Sequence, residues 1–271
     1  MEKKMLIDTH CHLDDEAFAN DVANVVAAAR NAGVERMITQ GTSISSSLDC
    51  IALAEEFPEV YAAIAIHPNC LMEELPALGS DDVFLDIFTK MAENPRVRAI
   101  GETGVDLYWH DTPVNIQKKF LALHFELSRR TQLPVIIHCR DAEEDLLKVA
   151  RNDFDKNGPV PGVIHSFSGN TDFLKACLEL DFHISYSGSV TFKNKCFDSL
   201  RGTVPLVPEN RLLVETDSPY LTPMPFRGKI KRNTPEMVTH TARFIAEIRG
   251  ISEENIQETT TQNTKKLFQI D

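Results

Sequence analysis

No run of about 18 apolar residues, the least a membrane-crossing helix needs, occurs in the 271 residues. No membrane span is expected. The first residues, Met1-Glu2-Lys3-Lys4, lead into a strand and lack the apolar stretch of a secretory signal, so a cytoplasmic location is expected. The six cysteines, Cys11, Cys50, Cys70, Cys139, Cys177 and Cys196, form no C-x-x-C pair. That excludes a zinc ribbon and a thioredoxin motif and leaves buried thiols as the expectation. Basic residues are outnumbered, 28 against 40, for a net charge of −12. A generic nucleic-acid coat protein is usually basic, but a local basic rim is compatible with an acidic total. There is no internal repeat, low-complexity tract or Gly/Ser linker, so one domain over 1–271 is the economical expectation. Hydrophobic residues at 42% and charged residues at 25% are ordinary for a soluble globular protein with a large core.

Apolar, β-rich runs alternate with helical patterns. The expected strands are Met5 to His12, Arg36 to Gly41, Val60 to His67, Val97 to Glu102, Pro134 to Cys139, Gly162 to His165, His183 to Ser187 and Leu212 to Asp217. Between them, apolar residues at three-to-four spacing predict helices over Ala17 to Ala32, Ser46 to Phe57, Phe84 to Met91, Ile116 to Arg130, Glu143 to Asn152, Asp172 to Leu180, Pro235 to Arg249 and Glu253 to Phe268. Eight strands, nearly all followed by a helix, predict a closed parallel (β/α)₈ TIM barrel, with an open doubly wound sheet as the alternative.

Strand ends carry the chemistry in such a barrel. Strand 1 ends in His10-Cys11-His12. Side chains alternate along a strand, so the two histidines face one way and Cys11 the other. Alone, such a pair is absorbed by a satisfied sheet edge. Strand 3 then ends at His67, strand 4 at Glu102 with Asp106 just beyond, strand 5 at His138, strand 6 at His165 and strand 8 at Asp217. Five further strands ending in ligand-type residues are a poor coincidence. The other histidines act as controls. His124 and His240 fall inside helices and His183 begins a strand, all structural positions. His110 falls in a loop at the surface or rim.

Four imidazoles (His10, His12, His138, His165) and two carboxylates (Glu102, Asp217) exceed what one ion needs when a position stays open for water. They suit two divalent ions with a bridging carboxylate, roughly 3.5–4 Å apart. Imidazole favours zinc or manganese, while phosphate oxygens on a substrate keep magnesium in play.

Asp8-Thr9-His10-Cys11-His12, Ala65-Ile66-His67-Pro68, Gly101-Glu102-Thr103-Gly104-Val105-Asp106, Pro134 to Ala142, His165-Ser166-Phe167-Ser168-Gly169, Glu215 to Leu221 and Arg227-Gly228-Lys229 together resemble the TatD family. These are metal-dependent hydrolases of the amidohydrolase-like barrel superfamily, and the resemblance spans nearly the whole chain. It implies a deoxyribonuclease trimming DNA from the 3′ end, with single strands or 3′ ends as substrate. It also implies one ion held by His10, His12 and Asp217, a second by His138 and His165, and Glu102 between them. Ser166, where the family often has cysteine, and the extra basic pair Lys231-Arg232 depart from the pattern without touching a ligand position.

The expected reaction is hydrolysis of a phosphodiester by metal-activated water, with Glu102 and Asp217 as the catalytic carboxylates and Asp217 shuttling a proton. Glu215 is expected to support a neighbouring ligand. His67, Asp106, Arg140, Lys193, Arg227 and Lys229 are expected to bind substrate, with Lys195, Lys231 and Arg232 extending the basic rim. Tyr108, Trp109, Phe167 and Phe226 offer stacking surfaces for bases. The alternative is an amide, lactone or ester hydrolase on the same barrel. A non-catalytic relative would have lost a ligand, and none is missing. Nothing signals an obligate protein partner or a membrane.

Overall fold

The computed structural model describes residues 5–271; Met1 to Lys4, ahead of the first strand, lie outside the described residues. Eight short strands rich in Val, Ile and Ala follow one another: β1 (Leu6–Cys11), β2 (Val34–Gln40), β3 (Val60–Ile64), β4 (Val97–Asp106), β5 (Val135–Arg140), β6 (Gly162–Ile164), β7 (His183–Tyr186) and β8 (Leu212–Val214). Each pairs in parallel with the next. Parallel neighbours need a long crossover, supplied here by α1 (Val22–Ala32), α2 (Ile44–Glu56), α3 (Leu71–Leu78), α4 (Asp81–Ala92), α5 (Val114–Thr131), α6 (Glu143–Asn157), α7 (Thr171–Glu179) and α8 (Asp198–Thr203). Two more helices, α9 (Val238–Arg249) and α10 (Glu253–Phe268), follow β8.

The seam between β1 and the segment after β8 closes the sheet. Asp217 donates its N–H to the carbonyl of His10 (2.9 Å), and His12 donates to that of Ser218 (2.8 Å). The fold is therefore the (β/α)₈ barrel, and the open sheet is excluded. No helix among the described residues is long and apolar enough to cross a membrane.

Two apolar layers hold the barrel. The larger lies between strands and helices. The smaller draws Ile7, Ile38, Ala63, Ala99, Ile136, Val163 and Leu213 from separate strands and adds Leu267, Phe268 and Ile270 from the chain's end. Branched residues contributed strand by strand fill a barrel lumen. Helix starts use the expected chemistry. Asn170 accepts from the N–H groups of Asp172 and Phe173, and Ser252 from that of Asn255.

Three local features differ from the sequence reading. The first expected helix begins only at Val22, after a separate turn at Glu16–Phe18 capped by Asp15. The short helices α3 and α8 were not anticipated, because Pro76 interrupts the first and Gly202 dilutes the second. Strand β4 runs past Glu102 to Asp106, through a Gly-Glu-Thr-Gly stretch that reads as a turn. Gly104 makes this continuation feasible. Its φ is +154°, and a Cβ there would lie 1.9 Å from the His138 carbonyl oxygen.

Replacing Gly104 by alanine should therefore force β4 and β5 apart and cost about 2 kcal/mol or more. The check is the denaturation midpoint, and an unchanged midpoint would contradict this account of the β4–β5 approach.

Candidate metal centre

Glu102 stands at the centre of the converging strand ends, with 3% of its surface exposed. Its two oxygens face two different groups. Oε2 lies 3.3 Å from His10 Nε2 and 3.6 Å from His12 Nε2. Asp217 Oδ1 lies 3.6 and 3.4 Å from the same nitrogens, which are 3.2 Å apart. Donor atoms about 2.0–2.1 Å from a tetrahedral ion stand about 3.3–3.4 Å from one another, so the two imidazoles could share one ion with either carboxylate. On the far side, Oε1 lies 2.9 Å from His138 Nδ1 and 2.8 Å from His165 Nε2, and these nitrogens are 3.1 Å apart. That second group matches the roughly 2.9 Å edges around an octahedral ion at similar bond lengths.

Tautomers sort the imidazoles, because a carboxylate only accepts and a backbone N–H only donates. His138 Nε2 meets Asp106 Oδ2 (3.0 Å) and must donate, so once the ring is neutral its Nδ1 lone pair faces Glu102. His165 Nδ1 meets Glu215 Oε1 (3.3 Å), which leaves Nε2 inward. Carboxylates behind metal-binding histidines fix the ring in this way. His67 is reversed. Its Nδ1 accepts the N–H of Asn69 (3.2 Å), so the neutral ring carries its proton on Nε2, 3.5 Å from Glu102 Oε1. In that form His67 is a donor and not a ligand.

The backbone is held as firmly as the rings. Asp217 and Ser166 have φ of 56° and 40°, left-handed conformations that cost a non-glycine residue about 1–3 kcal/mol. Asp217 is pinned by its bond to His10. Ser166 is pinned by a 2.6 Å bond from its N–H to Glu215 Oε1. Asp8, fully buried below the seam, accepts from the Thr216 N–H (2.8 Å) and hydroxyl (2.6 Å). Asn233 donates to the carbonyl of Thr216.

Burial opposes charge throughout the cluster, but the groups compensate one another. For Glu102 the nearby His165, His67 and His10 outweigh desolvation and hold its carboxyl well below the usual range. Asp217 is lowered for the same reason, against burial, through His12 and His10. Burial depresses His12, yet its bond to Asp217 and the charge of Glu102 lift it to about 9. His165 and His138 are raised against burial by Glu102 and their own carboxylates. Burial and His165 lower His10. Burial pushes Asp8 up to about 8 despite the Thr216 bonds.

A cavity of about 800 Å³ opens over this cluster, bounded by Asp14, His67, Trp109, Arg140, Ser189 and Tyr220. Of the residues expected to bind substrate, His67 and Arg140 reach it. Lys193, Arg227 and Lys229 are exposed and do not line it; the Arg227 guanidinium lies 3.5 Å from the centre of the Phe192 ring. Asp106 also borders the cavity, but its oxygens are taken. Oδ2 serves His138 and Asn69, and Oδ1 accepts from the N–H groups of Tyr108 and Trp109. With these contacts it orients His138, a placement that follows from β4 extending to this residue. Phe167 is buried and stacked on Phe173, which removes it as a base platform. Phe226 packs edge-on against His240. Arg232 pairs with Asp21 and the Ala17 carbonyl, tying the β8 loop to the start of α1.

Two contributors escaped the sequence reading. Asp8 was quoted only within a motif. His124 was set aside as structural; it is no ligand, yet it lies directly behind the site. Its Nε2 accepts the N–H of Ile66, and its Nδ1 meets Thr103 Oγ1 and the Phe120 carbonyl. Burial lowers it to about 4, so it stays neutral. No periodicity distinguishes such a histidine from one buried elsewhere.

The profile of a family described as TatD related DNase matches residues 7–269. An uncharacterized metal-dependent hydrolase, YabD of Bacillus subtilis, is 36% identical over 266 residues, covering 98% of this chain and 100% of that protein. The 3′-5′ ssDNA/RNA exonuclease TatD of Salmonella typhimurium is 31% identical over 268 residues, covering 98% and 99%. The crystal structure of YjjV, a TatD homologue from Escherichia coli, superposes with a TM-score of 0.87 at 30% identity over the full length of both chains.

Raised imidazole pKa values set a sign. Below about pH 9 the ion-free His12 holds a proton that an ion must displace. Binding of Zn²⁺ or Mn²⁺ should release protons and tighten as pH rises from 6 to 9. Calorimetry in two buffers of different ionisation enthalpy reads this directly, and a pH-independent affinity would contradict it. Asp106→Asn should weaken metal affinity roughly 10- to 100-fold. A raised KM with unchanged metal affinity would instead return Asp106 to the substrate side.

Proposed function

Because the chain belongs to the TatD-related DNase family and is a metal-dependent hydrolase, we propose that it is a two-metal phosphodiesterase removing nucleotides from the 3′ end of single-stranded DNA. The observation that carries this reading is the split environment of Glu102, with each oxygen facing its own pair of imidazole nitrogens. In this reading His10, His12 and Asp217 hold one ion, His138 and His165 the other, and Glu102 joins them. The ions supply Lewis acidity, lowering the pKa of attacking water toward 7 and offsetting charge that builds on the phosphoryl oxygens.

The chain's own groups do the rest. Glu102 sets the separation of the two halves, and no lysine stands at or beside it to take that place. Asp217 faces both histidines through Oδ1, so its Oδ2 is the atom that takes the proton from water and passes it to the leaving 3′ oxygen. His67, protonated on Nε2 and neutral because burial lowers its pKa, donates to a phosphate oxygen. Arg140 on the cavity wall supplies the fixed positive charge a phosphodiester needs. The relative named as a 3′-5′ ssDNA/RNA exonuclease supports the choice of bond and polarity.

Glu102→Ala should lower hydrolysis of an end-labelled single-stranded oligonucleotide on the order of 10³-fold while circular dichroism shows the barrel intact. Near-normal turnover by chelator-stripped protein, or turnover of lactones and esters with none of oligonucleotides, would overturn the proposal.

A further inference from the structure

Four features of the cavity mouth converge on one ligand. Tyr108 and Trp109 are adjacent and both half exposed, at 50% and 51%, at the rim of the cavity that Trp109 lines. Their rings meet edge to face at 5.0 Å. The Arg140 guanidinium lies 3.7 Å from the centre of the Tyr108 ring and 6.0 Å from that of Trp109. Arg140 forms no ion pair among the described residues, so its charge is not spent on a protein carboxylate. Trp109 and Arg140 line the cavity over the metal-ligand cluster.

The loop is also tied to the cluster. One carboxylate, Asp106, uses Oδ1 to take the N–H groups of both Tyr108 and Trp109 and Oδ2 to hold His138. The aromatic pair is thereby indexed to the reaction centre and does not ride on a free loop. One face of Tyr108 is covered by Arg140, which stiffens that ring and leaves Trp109 as the open surface. A flat apolar face beside an unpaired guanidinium, both at a fixed offset from a phosphodiester-cleaving centre, matches a nucleobase beside its own phosphate.

We propose that Trp109, braced by Tyr108 and Arg140, is a stacking platform for the unpaired base of a nucleotide next to the scissile bond. The inference rests on the phosphodiesterase reading and narrows it. A base stacked there must leave its duplex partner, so the platform selects single strands or frayed ends and is indifferent to which base it holds.

Trp109 is the only tryptophan in the chain, so its emission reports the site without labelling. The metal-loaded protein is titrated with a short phosphorothioate-linked oligothymidine and with a matching oligomer of abasic residues. The base-bearing oligomer should quench and shift the emission, and the abasic one should not. In parallel, the ratio of kcat/KM for base-bearing over abasic 3′ ends should fall on the order of tenfold in Trp109→Ala and be largely restored in Trp109→Phe. Metal content measured on each variant separates a base effect from a disturbed Asp106–His138 contact. If oligonucleotides are hydrolysed but the emission does not respond and the ratio does not change, the platform is wrong and the nuclease reading survives. If the native protein neither binds nor hydrolyses them, both fall.

Discussion

A single buried carboxylate with imidazoles on both sides is the constraint the rest of the molecule serves. Glu102 is almost wholly buried at the cavity floor, and desolvation alone would drive it to take up a proton. It stays ionised because histidines from β1, β3, β5 and β6 surround it. Those histidines, in turn, tolerate being packed ring against ring only because the carboxylate lies between them: His10 stacks on His165 with centroids 3.9 Å apart. Remove the central charge and the cluster becomes a set of mutually repelling, half-satisfied groups. The barrel's closure depends on the same place, since the seam bonds run through His10, His12, Asp217 and Ser218. Fold and site share their hydrogen bonds.

A ring of groups that touch no substrate keeps this arrangement unique. Asp106 fixes His138, Glu215 fixes His165 and the Ser166 backbone, Asp8 fixes Thr216, and His124 braces the residues beside His67 and Glu102. Each is a buried polar group, with only Glu215 Oε2 lacking a partner among these four, and such networks hold one geometry in proportion to how completely they are satisfied. Left-handed Ser166 and Asp217 are the local cost of aiming adjacent side chains at the cluster. His10 Nδ1 and Glu215 Oε2, both beside the His10–His165 stack, are among the buried atoms without a protein hydrogen-bond partner.

The ligands were legible in the sequence because each has a local signature: an apolar run that ends in histidine or a carboxylate. Barrel topology then gathers strand ends at one rim without further information. The contact of Asp106 with His138 was not legible for a definite reason. Gly101 and Gly104 made β4 look finished at Glu102, whereas Gly104 lets the strand continue against His138. His67 is already set apart from the ligands in the sequence, and the Asn69 N–H on its Nδ1, a turn contact that spacing does not reveal, supplies a physical reason for that. Lys193, Arg227 and Lys229 were grouped with the rim by their place in the chain, but loop conformation set where they point. Phe167 turned inward for the same kind of reason.

The acidic total and the anionic substrate are reconciled at this floor and not at the surface. Glu102, Asp106 and Asp217 are all held below the ordinary carboxylate range, and Asp14 and Asp15 add to the wall. Without bound cations those carboxylates are offset by the raised His12, His138 and His165 beside them, so the floor of the cavity offers a phosphodiester little net attraction beyond Arg140. Two divalent ions on the proposed ligands carry four positive charges into the same low-dielectric space. Affinity for substrate, and not only the chemical step, is then conditional on metal loading. A surface rich in lysine would not achieve that, because its attraction is screened within about 8 Å at physiological salt and would be present whether or not the centre was competent. On the proposed reading the scarcity of basic residues fits this arrangement: the chain would attract a phosphodiester only where it could cut one.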